Sequence, residues 1–169
     1  MESIFERMRE DHRRVLNEVA AMEEAMAGGT DPTQAVSRLV ALLVRQFGSH
    51  MAAEDEVLYP ALMNALPETR ASIEPLRADH GALRMMLADL EEMLGLPGEA
   101  RDEQMAVQIR DLVDLLRIHI RKEEALVIGV AERVLQPAEV EALSVRMNRG
   151  PAASCELGPR QGPSKGVTS

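Results

Sequence analysis

The histidines of this chain follow a pattern that occurs twice. Each half contains one isolated histidine and, further along, a histidine with a glutamate four residues after it. The six residues are, in order, His12, His50, Glu54, His80, His119 and Glu123, and corresponding members of the two halves are 68 or 69 residues apart. A histidine and a glutamate at this spacing project from one face of an α-helix, one turn apart. The pattern therefore predicts a duplicated pair of helices whose polar side chains face a shared interior.

The sequence around these residues repeats as well. Segment 9–26 aligns without gaps on 77–94, and both contain Arg-x-Asp-His followed later by Glu-Glu. Segments 50–60 and 119–129 match less closely. The period is longer than that of common solenoid repeats and occurs only twice, which favours a closed, duplicated helix pair over an open array.

Apolar residues at helical spacing predict four long helices and a short fifth one. Ser3 and Glu6 form the pattern of a capping box at the start of the first helix. The expected helices are 3–27, 31–66, from 72–75 to 95, from 99 onward, and 137–147. Pro60 lies inside the second and should kink or locally unwind it. The predicted fold class is all-α, an up-down-up-down four-helix bundle with a short fifth C-terminal helix.

The chain is expected to contain one domain, residues 1–148, followed by a disordered tail, 149–169. Ten of the 21 tail residues are Gly, Pro or Ser, a composition that can bury little surface. The single cysteine, Cys155, lies in this tail and cannot form an internal disulfide. A lone cysteine favours a reducing compartment.

The bulk composition excludes several classes of partner. The net charge is −9 with no basic block, and the chain has no tryptophan, one tyrosine and two phenylalanines. Both features argue against binding to nucleic acid. No apolar run reaches the length of a membrane span and no secretory signal is present. We expect a cytoplasmic protein with neither membrane nor nucleic acid as partner; any protein partner is unknown.

Four imidazoles and two carboxylates converging on a bundle core would be costly without a bound cation. This donor set suits two iron ions bridged by carboxylates. Ferritin-like di-iron bundles are the nearest alternative, but they use Glu-x-x-His, the opposite order at a shorter spacing. Zinc is chemically compatible with these residue types, although six ligands with bridging carboxylates differ from the closed four-coordinate zinc arrangement.

The residues and their spacing resemble the hemerythrin-like family, the His-Glu (HHE) cation-binding type, over residues 4–135. The resemblance implies that the four histidines are terminal ligands and that Glu54 and Glu123 bridge two irons, with a shared oxo or hydroxo group. The oxygen carriers of marine worms have a fifth histidine, which this chain lacks. Each iron is therefore expected to keep an open or water-occupied position.

Three functions follow from this interpretation. The first is a module that binds or senses O2, NO or a related small oxidant. The second is an enzyme that disposes of peroxide or nitric oxide, and the third is a protein that holds or delivers iron. The sequence does not choose among them, and whether the chain is an enzyme stays open.

Several residues near the histidines also carry expectations. Asp55 and Glu124 follow the two glutamates by one residue, about 100° round the helix, and are expected to face solvent or the bundle edge. Asp11 and Asp79 precede the isolated histidines and fit surface charges somewhat better than groups that orient an imidazole. Tyr59 is nine residues after His50, about half a turn out of phase, and is expected to lie away from the metals.

Overall fold

The regular structure of the described residues is entirely helical. The computed structural model describes residues 3–28, 33–96 and 99–148, without the side chains of 99–102 and 148. The helices are α1 (Ile4–Ala27), α2 (33–65), α3 (Arg70–Leu94), α4 (99–134) and α5 (Pro137–Asn148). The predicted all-α class, with four long helices and a short fifth, is confirmed. The expected start of α2 at Asp31-Pro32 and the tail with Cys155 lie outside the described residues.

The helix ends follow from local sequence. The predicted capping box opens α1: the Phe5 amide donates to Ser3 Oγ (3.1 Å), and the Ser3 amide donates to Glu6 Oε2 (2.8 Å). A short 3-10 turn, Pro67–Thr69, connects α2 to α3. As a result α3 begins at Arg70, earlier than predicted, and Pro75 lies inside it.

Two of the long helices contain π-helical turns. In the described residues these are Leu43–Phe47 and Glu54–Leu58 in α2, and Glu124–Ile128 in α4. A π turn inserts one residue, which rotates everything after it by about 100° relative to an ideal α-helix. The turn at Glu54–Leu58 ends two residues before Pro60, where local unwinding is predicted. The other two π turns have no such proline, so proline alone does not explain them.

The helices pack into a bundle around two apolar clusters. Helix α1 packs on α2 and α4, and α3 packs on α2 and α4, while α5 covers one end of α1 and α2. The first cluster includes Val19, Leu39, Leu90 and Leu112. The second lies at the other end and is built from residues such as Leu58, Leu76, Val127 and Leu143 of α5. Along the long helices, His12, Glu54, His80 and Glu123 fall between the two clusters, and His50 and His119 lie at the edge of the first.

Methionines contribute to this core as gap-filling side chains. Met8, Met22, Met51 and Met105 are all buried in the two clusters. The search for a bilayer-crossing helix among the described residues finds none with the required length and apolar character.

Candidate metal centre

The bundle interior brings together the six side chains of the repeated pattern. Five of them are fully buried and the sixth, His50, is 7% exposed. The donor atoms form two groups, and within each group all of them lie within 4.8 Å of one another. The first group comprises His12, His50, Glu54 and Glu123, and the second comprises Glu54, His80 and His119. The six side chains therefore converge from four helices on one interior site, as the repeated pattern predicts.

The histidines form two pairs. The Nε2 atoms of His12 and His50 are 3.1 Å apart, and those of His80 and His119 are also 3.1 Å apart. This is the separation of two nitrogen ligands that lie about 2.1 Å from one cation at roughly a right angle. Each half of the pattern thus supplies one imidazole pair suited to one metal ion.

The two carboxylates lie between the imidazole pairs. Glu54 Oε1 is 2.5 Å from His50 Nε2, and Oε2 is 3.4 Å from His80 Nε2. Glu123 Oε2 is 3.4 Å from His12 Nε2 and 3.6 Å from His119 Nε2. Each glutamate therefore touches both pairs, which is the position of a bridging ligand.

Several of these oxygens have no hydrogen-bond partner among the described residues. They are both oxygens of Glu54 and Oε2 of Glu123. The 2.5 Å contact of Glu54 Oε1 with His50 is close, but its direction is not that of a hydrogen bond. Fully buried carboxylate oxygens without partners are costly. A pair of cations between the imidazole pairs would satisfy them, so the residues present fit a two-metal group.

Burial and the close carboxylate–imidazole contacts change the pKa values of the centre in both directions. Burial lowers the pKa of His50, but Glu54 and Asp11 outweigh it and raise that pKa to about 10. Burial also raises the pKa of Glu54, yet the facing His50 and His80 leave it well below the ordinary value. Burial and the charge of Glu54 raise the pKa of Glu123. Burial and the neighbouring His80 lower the pKa of His119 to about 4. The charges of these buried side chains therefore act strongly on one another.

Each imidazole faces a second carboxylate, which is within hydrogen-bond distance for His12, His50 and His80 and at ionic distance for His119. The Nδ1 atoms face, in turn, His12 to Glu124 (3.1 Å), His50 to Asp11 (3.3 Å), His80 to Asp55 (3.0 Å) and His119 to Asp79 (3.6 Å). A carboxylate at Nδ1 fixes the ring so that Nε2 points at the metal, and it makes the imidazole a stronger donor. The arrangement obeys the same approximate two-fold repeat as the ligands.

Two sequence expectations are corrected by these contacts. Asp55 and Glu124 lie at the bundle edge, one of the two expected places, but each also reaches an imidazole of a neighbouring helix, which was not expected. Asp11 lies within 3.3 Å of a ligand-type imidazole, and Asp79 within 3.6 Å, so they are more than surface charges. Periodicity within one helix says where a side chain leaves its own backbone, but not which partner the next helix presents there.

Tyr59 is the residue that sequence reasoning missed. Its hydroxyl donates to Glu123 Oε1 (2.8 Å) and lies 3.5 Å from His80 Nε2. Its ring stacks on His80, with centroids 5.6 Å apart and an interplanar angle of 13°. The π turn Glu54–Leu58 rotates Tyr59 by about 100°, towards the centre instead of away from it. The signal in the sequence is Pro60, because a distortion of α2 near a proline changes the direction in which the neighbouring Tyr59 side chain points.

Burial also keeps the Tyr59 hydroxyl protonated. Burial and the two glutamates raise the pKa of this phenol well above its ordinary value. The hydroxyl is therefore a hydrogen-bond donor across the whole ordinary pH range, and it holds one oxygen of Glu123 in a fixed direction.

Comparison with known proteins identifies one family. Residues 3–131 match the model of the hemerythrin HHE cation-binding domain. No curated protein and no solved structure matches the chain significantly.

Proposed function

Because this chain belongs to the hemerythrin HHE cation-binding family, we propose that its buried centre holds two iron ions and binds or senses O2, NO or a related small oxidant. In this proposal His12 and His50 would hold one ion, and His80 and His119 would hold the other. Glu54 and Glu123 would be ligands shared between the ions, with an oxo or hydroxo group completing the centre. The observation that carries the proposal is the set of carboxylate oxygens that are fully buried between two imidazole pairs and have no hydrogen-bond partner among the described residues.

The donor chemistry supports iron over a single closed zinc site. Imidazole and carboxylate together suit non-heme iron. Two cations held close together repel each other, and anionic bridges offset that repulsion. Two nitrogens and two carboxylate oxygens per ion would leave further coordination positions, where a small ligand could bind. The irons, when bound, would also supply electron transfer.

The protein supplies orientation and shielding from water. Carboxylates at Nδ1 of His12, His50 and His80 keep the Nε2 atoms of these rings directed inward. The Tyr59 hydroxyl holds Oε1 of Glu123. Apolar clusters above and below the centre separate it from solvent. A centre of this kind admits small uncharged molecules more readily than bulky substrates.

We also propose that α1 to α4 run up-down-up-down. The connection between α2 and α3 is short, from 66 to 69. Pairs such as Tyr59–His80 and Asp55–Arg84 link later residues of α2 to earlier residues of α3, in the order expected for antiparallel neighbours.

The stoichiometry and spectrum of the metal test the proposal. Protein reconstituted anaerobically with Fe²⁺ and then oxidised should contain two iron atoms per chain and show a charge-transfer band of an oxo-bridged ferric pair. Natively purified protein that contains one zinc and no iron would overturn it. Binding of NO to the reduced protein, followed by infrared spectroscopy, tests whether the irons have open positions.

A second candidate is an enzyme that disposes of peroxide or nitric oxide. The observation in its favour is the Tyr59 hydroxyl, a protonated donor beside both Glu123 and His80. Peroxide turnover by the iron-loaded protein, compared with Glu54→Gln, separates this function from binding alone. Turnover that is equal in both proteins would refute the enzyme.

A further inference from the structure

We infer that the two metal positions are unequal, and that the position at His12 and His50 holds a cation more tightly than the position at His80 and His119. The inference rests on the proposed two-metal centre. It follows from the side chains that lie behind the imidazoles, because their carboxylates repeat between the two halves but the direct ion pairs of those carboxylates with Arg and Lys do not.

Behind His80, the carboxylate of Asp55 is paired with arginine. Arg84 Nη2 donates to Asp55 Oδ2 (2.9 Å), while Oδ1 of the same carboxylate faces His80 Nδ1 (3.0 Å). Arg77 adds a second guanidinium, with Nε 3.7 Å from Oδ1 and Nη2 donating to the Asp55 carbonyl (2.7 Å). Two cations thus share the carboxylate that supports His80.

Behind His119, the carboxylate of Asp79 is shared with lysine. Lys122 Nζ lies 3.6 Å from Asp79 Oδ2, and the same oxygen lies 3.6 Å from His119 Nδ1. Both distances are those of ionic contacts and not of hydrogen bonds. The charge of this carboxylate is therefore divided between the imidazole and the ammonium group.

The first pair has different surroundings. Arg9 is the counterpart of Arg77, but both of its terminal nitrogens donate to Glu132 (2.6 and 2.7 Å), leaving Glu124 to face His12. On the side of His50, Arg14 donates to the amide oxygen of Gln46 (3.1 Å). Arg7 lines the same cleft as Asp11 and lies near Ser144 of α5, with Nη2 3.5 Å from its Oγ.

The sequence repeat shows the same difference. The position equivalent to Arg84 is Leu16, and the position equivalent to Lys122 is Ala53. At both places the second half has a cation where the first half has an apolar side chain. The carboxylates are thus duplicated, whereas direct ion pairs with Arg or Lys occur, among the described residues, at Asp55 and Asp79 behind His80 and His119. Arg9 and Arg14 act on Glu124 and Asp11 through their charge at longer range.

The position at His80 and His119 is expected to bind a cation more weakly for two reasons. A carboxylate that already pairs with Arg or Lys accepts less strongly from the imidazole N–H, which makes the imidazole a poorer donor. The added positive charges also repel a bound cation directly. Changes in such supporting groups alter metal affinity about 10- to 100-fold. We therefore expect the two dissociation constants to differ by about tenfold beyond the statistical ratio for identical positions.

Titration of the metal-free full chain with Zn²⁺, followed by calorimetry, measures both steps without depending on iron chemistry. Two steps separated by about tenfold beyond the statistical ratio are expected. Two steps at the statistical ratio would overturn the inference. His50→Gln should abolish the tighter step and His119→Gln the weaker one, and the reverse assignment would also overturn it.

An exchange of the lysine between the halves tests the cause. Lys122→Ala should tighten the weaker step several-fold, and its side chain is 44% exposed, so its loss leaves the core intact. Ala53→Lys should weaken the tighter step, because it places a positive charge beside Asp11 and His50. These residues and Ala53 line one cleft of about 190 Å³. Arg117→Gln is the matched control, since Arg117 pairs with Glu23 (2.7 Å) and contacts no ligand-type imidazole in the described residues. Unchanged affinities in Lys122→Ala would refute the role of the cations.

Failure of this inference is distinguishable from failure of the proposed function. A chain that binds one cation, or none, contradicts the two-metal centre itself. A chain that takes up two irons and also binds two Zn²⁺ ions with equal intrinsic affinity contradicts only the inequality.

Discussion

Tyr59→Phe removes one oxygen atom from the interior and tests the most specific contact of the centre. The Tyr59 hydroxyl donates to Glu123 Oε1 at 2.8 Å, and Tyr59 is fully buried. The phenylalanine ring would keep its packing and its stacking on His80, so the change isolates the hydrogen bond. A hydrogen bond to a charged group contributes about 1.5–3 kcal/mol. At 2–4 °C per kcal/mol for a domain of this size, the melting temperature should fall by roughly 3–12 °C.

The same variant should also weaken metal binding. Glu123 would lose the donor that holds its second oxygen, and loss of a supporting group of this kind costs about tenfold in metal affinity or more. Thermal unfolding followed by circular dichroism, and Zn²⁺ titration of the metal-free chain, measure the two effects.

Thr69→Val is the matched control for Tyr59→Phe. It also removes a hydroxyl hydrogen bond, from Oγ1 to the Leu66 carbonyl (2.6 Å), but at the α2–α3 connection away from the centre. This neutral bond contributes about 0.5–1.5 kcal/mol, and metal affinity should not change. If Tyr59→Phe keeps wild-type stability and wild-type metal affinity, the hydroxyl does not position Glu123 and the reasoning is wrong.

Three further outcomes are expected. Glu54→Gln and Glu123→Gln should each lower iron per chain more than Glu56→Gln, because Glu56 is exposed on α2; metal retained in both buried variants but lost in Glu56→Gln would refute the bridging assignment. Between pH 7 and 9 the metal-free chain should lose stability in urea unfolding while the metal-loaded chain does not. Burial lowers the pKa of His50 and His80, but neighbouring carboxylates outweigh it and raise the pKa to about 10 for His50 and about 9 for His80. The protons on these imidazoles stabilise the fold, and this stabilisation is lost as the pH rises through those values. Asp55→Asn should weaken Zn²⁺ binding, whereas the exposed Asp89→Asn should not, and equal affinities in the two variants would count against support of His80 by Asp55.

The parts of the fold that depend on local sequence were predictable. Ser3 and Glu6 identify the start of α1 because a capping box is made within four residues. The convergence of His50 with Glu54, and of His119 with Glu123, follows from helical spacing inside an apolar stripe. The duplication then places the isolated histidines, since an interior that receives four polar groups from two helices must receive their partners from the others.

The parts that depend on neighbouring helices were not predictable in this way. The contact between Glu124 and His12 joins residues 112 apart in the chain, and helical phase alone does not report it. The position of Tyr59 depends on the π turn Glu54–Leu58, whose extra residue breaks the phase count from His50. A proline after the turn is a hint of such a break, yet the π turn Glu124–Ile128 occurs without one.

The repeat also predicts that the two glutamates are equivalent, and their environments argue that they are not. Glu54 directs one oxygen to each imidazole pair, and neither oxygen has a hydrogen-bond partner among the described residues. Glu123 presents Oε2 to both pairs, while Tyr59 holds Oε1. The counterpart of Tyr59 in the second half is Ile128, a buried side chain that cannot donate. Glu54 thus offers one oxygen to each imidazole pair, whereas Glu123 offers Oε2 to both pairs and uses a lone pair of Oε1 to accept from Tyr59. The duplication supplies two equal ligand sets, and single replacements around them, Tyr59 for Ile128 and Lys122 for Ala53, make the halves chemically distinct.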